Sequence, residues 1–113
     1  MSFSNVRSIK SVRKARPCRC GQMIEAGQPA VEWVGVTEGE FAAIAYHPEC
    51  RQAERALNKL HDVQWWDDWS GIEDVESEDW EWLLTEHPLV AARLNITPER
   101  VAEHKARRAR YFA

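Results

Sequence analysis

The chain has 113 residues, 44% of them hydrophobic, with 18 acidic and 15 basic side chains for a formal net charge of -3, and three cysteines. That length allows one domain or two very small ones, burying about two-thirds of the unfolded surface at best. No apolar run approaches the roughly 18 residues of a membrane span and no apolar leader opens the chain, so a cytoplasmic protein with reduced thiols and no membrane partner is expected.

The small net charge hides a segregation. Residues 1–20 carry six basic residues and no acid, residues 61–92 carry ten acids and no Lys or Arg, and residues 93–113 carry six basic residues against two Glu. Residues 1–16, polar and basic, read as a flexible arm in which Arg13 and Lys14 can reach phosphates.

Residues 17–61 contain every cysteine. Cys18-Arg19-Cys20 is followed, after the spacer 21–46, by His47-Pro48-Glu49-Cys50. Structural zinc takes four N/S ligands that commonly come as two close pairs, and a Cys₃His count closes here. Zn²⁺ is therefore the expected cofactor, structural, held by Cys18, Cys20, His47 and Cys50, with His61 the rival for the fourth position. Within the spacer, Pro29–Val36 and Glu40–Tyr46 are rich in apolar, β-branched and aromatic residues and are separated at Glu38-Gly39, which predicts a β-hairpin. Pro48 suits the first position of a helix running to about Leu60, leaving His47 just outside and Cys50 in the first turn. The partly positive helix end there favours a thiolate. Cys50, Ala53, Leu57 and Leu60 share one face at helical spacing and are expected to pack on the hairpin.

Residues 62–76 form an acidic, Trp-rich connector, and with Trp80 and Trp82 hold five of the six tryptophans. The rings either make a joint core between the two halves, or Trp65, Trp66, Asp67, Asp68 and Trp69 form an exposed face for a basic partner protein. Residues 77–113 read as three helices. Ser77 is the expected N-cap of the first, with Trp80, Leu83 and Leu84 as its apolar stripe; the second spans Leu89–Leu94. The third opens at Ile96-Thr97-Pro98, with Thr97 as cap and Ile96 stapled onto Val101.

Two stretches resemble known families. The cysteine pair, the spacer and Tyr46 before H-x-x-C resemble poly(ADP-ribose) polymerase-type zinc fingers, whose first pair is C-x-x-C rather than C-x-C; the knuckle, hairpin and ligand-bearing helix look treble-clef-like. Leu89–Arg110 resembles the helix-turn-helix of LuxR and sigma-factor type regulators, with Ala91 at the small position, Asn95 where glycine is usual, and Val101 with His104 matching V-x-x-H. Glu99 and Glu103 depart from it, being acids on the DNA-facing helix. The resemblance implies DNA contacts by Thr97, Arg100 and Lys105, with Arg107, Arg108, Arg110, Arg13 and Lys14 on the backbone. The whole looks similar to small accessory proteins of phages and prophages. The expected protein is α+β: a zinc-stapled hairpin-plus-helix module followed by a helix-turn-helix-like segment. It would act, without catalysis, as a DNA-binding or regulatory accessory protein, or alternatively as an inhibitor or adaptor of a host protein that leaves DNA alone.

Overall fold

The computed structural model describes residues 3–37 and 39–112; Met1, Ser2, Glu38 and Ala113 lie outside them, as do the side chains of Phe3, Thr37 and Trp66. The hairpin forms where alternating apolar residues demand it. Strands β4 (Ala30–Thr37) and β5 (Glu40–Tyr46) pair antiparallel from Val31↔Tyr46 to Thr37↔Glu40, and Gly39 supplies the positive φ of +82° at the turn.

The N-terminal residues are not an arm. Phe3–Ile9 forms strand β1 on the outer edge of β4, from Phe3↔Val36 to Ile9↔Ala30, giving a three-stranded sheet in the order β1-β4-β5. Part of the basic charge assigned to the arm is instead engaged across the strands. Arg7 lies opposite Glu32 in the register, at 2.8 Å, and Arg16 reaches the other carboxylate oxygen at 2.9 Å. The Arg16 hydrogen bond, with Arg7 beside it, holds the Glu32 carboxyl below its usual range against a partial burial that pushes the other way. Beyond β1, buried Val12 is clamped from both sides: its N–H donates to Gln28 O and its carbonyl accepts from Gly27 N–H, both at 2.9 Å. Arg13 and Lys14 stay exposed on this pinned loop.

A two-stranded ribbon, β2 (Arg16–Pro17) with β3 (Met23–Ile24), carries the cysteine pair at its turn. Helix α1 (Pro48–Leu60) follows β5 with proline in its first turn. Its inner face is Cys50, Ala53, Glu54, Leu57 and Asn58, while Leu60 is 50% exposed, so the expected apolar stripe ends one turn early. Asn58 takes over there. Its amide donates to Ser70 O at 2.9 Å and accepts from Ser70 N–H at 2.8 Å, fixing the connector to the helix.

The connector folds as 3₁₀ turns at Trp66–Asp68, Ile72–Asp74 and Ser77–Asp79, with Ile72 fully buried. Ser77 therefore sits in a 3₁₀ turn rather than capping, and helix α2 (Trp80–Glu86) begins later, at Asp79 without a side-chain cap. Helix α3 (Pro88–Arg93) and helix α4 (Pro98–Phe112) follow. Between them Asn95 is left-handed at φ +58°, a conformation whose steric cost asparagine bears better than most non-glycine residues. Thr97 Oγ1 accepts the Arg100 N–H at 3.1 Å, capping α4 as expected.

One buried cluster joins both halves, from Val12, Ile24, Tyr46 and Leu57 through Ile72 to Leu83, Val90, Ala91 and Ile96. The tryptophans surround it rather than fill it. Trp33, Trp80 and Trp82 are partly buried against it, and Trp65 is 73% exposed. Helix α4 buries no residue and packs chiefly on α2 through Trp80 and His104, whose ring centroids lie 5.8 Å apart. The radius of gyration of 16.0 Å, against about 13 Å for a globular chain this long, reflects such projecting parts.

Candidate metal centre

Cys18 and Cys20 lie in the β2–β3 turn, His47 between β5 and α1, and Cys50 in the first turn of α1. All four are buried, and one ligand atom from each lies within 4.8 Å of every other. A tetrahedral ion with ligand bonds of about 2.0–2.3 Å requires ligand atoms about 3.5–3.8 Å apart. His47 Nδ1 is 3.6 Å from Cys20 Sγ and 3.7 Å from Cys50 Sγ, which meets that requirement.

The backbone builds this cluster with a single-residue spacer. The Cys18 N–H donates to Gln22 O at 2.9 Å and the Gly21 N–H to Cys18 O at 3.0 Å, with Gly21 at φ +96°, where a side chain would be strained. The tight turn directs two amides at the sulfurs, Cys20 N–H to Cys18 Sγ at 3.4 Å and Gln22 N–H to Cys20 Sγ at 3.5 Å, and the junction of β5 with α1 adds His47 N–H to Cys18 Sγ at 3.1 Å. Such donors favour thiolates. His47 Nε2 lies 3.1 Å from Met23 O; donating there leaves Nδ1 free to ligate.

The thiols do not ionise alike. Cys18 is lowered to about 5, first by its hydrogen bond with Cys50 and then by the Cys20 and His47 amides, against burial. Cys50 is pushed well above the usual thiol range by the same Cys18 contact and by burial, and Cys20 is raised mainly by burial. One negative charge is favoured among three sulfurs, and a dication is what allows the other two protons to leave.

Three thiolates around a dication leave one net negative charge, and a cation stands beside it. Arg93, at the end of α3, reaches Cys50 Sγ at 3.6 Å and Glu49 at 3.7 Å, while Gln22 Nε2 donates to Arg93 O at 3.3 Å. This contact ties the C-terminal helices to the cysteine cluster across 43 positions of sequence, a distance no local pattern announces. His61, the rival ligand, is elsewhere: it is exposed on the far end of α1 and pairs with Asp79 at 2.7 Å.

Glu54 is the other residue that sequence reading passes over. It is fully buried, yet five donors converge on it. Oε2 accepts from the Tyr46 hydroxyl at 2.7 Å, Trp69 Nε1 at 3.0 Å and Arg51 at 3.1 Å; Oε1 accepts from the Ile72 N–H at 2.9 Å, with Arg19 at 3.4 Å. Burial, then the Glu54 contact, pushes the Tyr46 phenol up to about 12, so it remains the donor. A signal was present. Glu54 sits four residues after Cys50 and three before Leu57, an acid on the buried face of α1.

Compared with known protein-family models, curated proteins and solved structures, the chain matches none. The geometry alone carries the assignment: Cys18, Cys20, His47 and Cys50 can hold a metal ion with all four positions filled by protein.

The residues expected at DNA are less free than their charges imply. Thr97 is occupied as the α4 cap, and Arg100 donates to Asn95 O while its guanidinium stacks 4.6 Å from the Trp80 ring. Lys105 pairs with Glu81 at 2.7 Å and Arg107 with Glu103 at 2.8 Å. Arg108 lies 5.9 Å from the Phe112 ring, and Arg110 is exposed. Of the expected protein-binding face, Trp65, Asp67 and Asp68 are exposed, Trp69 is held against Glu54, and the Trp66 side chain lies outside the described residues. No described helix is long and apolar enough to cross a membrane.

Proposed function

We propose that the protein is a non-enzymatic DNA-binding or regulatory accessory protein of a reducing, cytoplasmic compartment, stapled by structural Zn²⁺ and meeting duplex DNA through α4. Cys₃His is a donor set typical of structural zinc, and four protein ligands leave no position for a reacting water. The order knuckle, hairpin, helix supports a treble-clef-like module. Buried Ala91 and Ile96, with left-handed Asn95 between α3 and α4, support a helix-turn-helix.

The observation that carries the reading is the exposure of α4, which has no fully buried residue and presents Lys105, Arg107, Arg108 and Arg110 along its second half. Because Thr97 and Arg100 are already engaged, contact is made with phosphates more than with base edges, so affinity is nearly sequence-independent. The surface ion pairs of Lys105 and Arg107 contribute little and yield readily to phosphate. The ten acids of residues 61–92 oppose the approach and keep binding weak at physiological salt. Fluorescence anisotropy with a labelled duplex should give an affinity that falls steeply with salt, and Arg107→Ala with Arg108→Ala should lower the log–log slope by about one to two. Absence of binding tighter than roughly 10⁻⁴ M at low salt would remove the duplex from the account. The exposed Trp65 beside Asp67 and Asp68 favours a second reading, a host protein engaged through the connector.

A further inference from the structure

A groove of about 900 Å³ runs between the β1–β4 side of the sheet and α1. Val6, Val31, Ala56 and Val63 give it apolar walls, and Arg51, Arg55 and Lys59 line it along α1. These cations recur every four residues, about 6 Å apart on a helix. Arg51 is held by Glu54, yet its Nε is buried with no hydrogen-bond partner. Arg55 and Lys59 form no ion pair among the described residues.

The other end of the same groove has the opposite sign. Asp62 lines it, and two residues past its Val63 wall stands exposed Trp65, followed by exposed Asp67 and Asp68. Asp62 within the groove opposes a continuous polyanion laid along the cations, which argues against nucleic acid here. What the groove complements is its own neighbouring segment. That segment offers a large aromatic for the apolar walls and carboxylates for the α1 cations, and it borders the groove that it fits.

We propose that this groove is a self-association site in which Trp65 of each of two copies enters the groove of the other, with Asp67 and Asp68 against Arg55 and Lys59. A two-fold axis makes both contacts equivalent and closes the assembly as a dimer. The site lies on a different surface from α4 and does not depend on what α4 binds.

The test is sedimentation equilibrium of the zinc-loaded 113-residue chain from about 1 to 500 µM. The expected result is a doubling of mass within that range, a midpoint that rises at least tenfold between low salt and roughly 0.5 M salt, and monomer at every concentration for Trp65→Ala. A charge exchange separates this from loss of fold. Arg55→Glu with Lys59→Glu and Asp67→Lys with Asp68→Lys should each be monomeric alone and form a one-to-one heterodimer when mixed, because both contacts regain opposite charges. A wild-type monomer throughout, including one that instead binds oligodeoxythymidine or an acidic peptide through Arg55, overturns the proposal. So does a dimer that survives Trp65→Ala or a mixture that fails to pair.

Discussion

Chelation of the proposed zinc should unfold the cysteine-bearing half and loosen the helices docked on it. Structural zinc contributes on the order of 10 kcal/mol of apparent binding free energy, as much as the whole stability of a small domain. Elemental analysis is expected to find one zinc per chain. Cys50→Ser should abolish both the metal and the cooperative thermal transition, while His61→Ala should leave the metal in place, because His61 touches Asp79 and not the sulfurs. Zinc binding at neutral pH should release close to three protons, since the unfolded metal-free half carries three free thiols of ordinary pKa, about 8.5, and all three must ionise to ligate. The sign follows: lowering the pH returns protons to the thiols and expels the metal. Full helicity by circular dichroism after complete chelation would disprove the staple, and equal damage from the two variants would return His61 to the ligand set.

Glu54→Ala should be the most damaging substitution away from the cysteines. It leaves Arg51, Arg19, the Tyr46 hydroxyl, Trp69 Nε1 and the Ile72 amide without their shared acceptor, two of them charged. Breaking a buried ion pair from one side costs about 3–5 kcal/mol, which for a domain of this size lowers Tm by roughly 12–25 °C. Tyr46→Phe, which removes one donor and leaves the carboxylate with others, should cost only about 1 kcal/mol. Denaturant unfolding of both variants measures the difference. Near-equal costs would mean that the carboxylate is not the hub that its contacts describe.

The metal cluster was legible because its chemistry is written in residue type and spacing. Three cysteines and one histidine leave little choice, and Pro48 places Cys50 on a helix whatever the remainder does. Asn95 and Thr97 were legible for a similar reason, each serving the backbone of its own neighbours. Long-range electrostatics were not. Arg7 and Arg16 read as part of a flexible arm because Glu32, their ion-pair partner on β4, is remote in sequence. Arg93 read as part of a basic end, although it stands beside Cys50. The connector left a joint core and an exposed face both open, and the structure divides them: Ile72 and Asn58 dock that segment and Trp80 and Trp82 pack partly buried against the core, while Trp65 stays outside.

Helix α4 is fifteen residues long with no fully buried residue. A helix of that length is marginal by itself in water, and here the contacts described with other elements come from its first half, with Val101 partly buried against the core, His104 against Trp80 and Lys105 on Glu81, below the Thr97 cap. Protection against hydrogen exchange should therefore be graded along the chain. Amides near Cys50 and Leu57 open only when the whole domain does, and those from about Arg107 onward open by fraying of the last turns on a sub-microsecond scale. The turns that carry Arg107, Arg108 and Arg110 are thus also the least fixed part of α4. A bound polyanion that ordered these turns would lose part of its affinity to that ordering, and would protect them far more than any other amides in the chain.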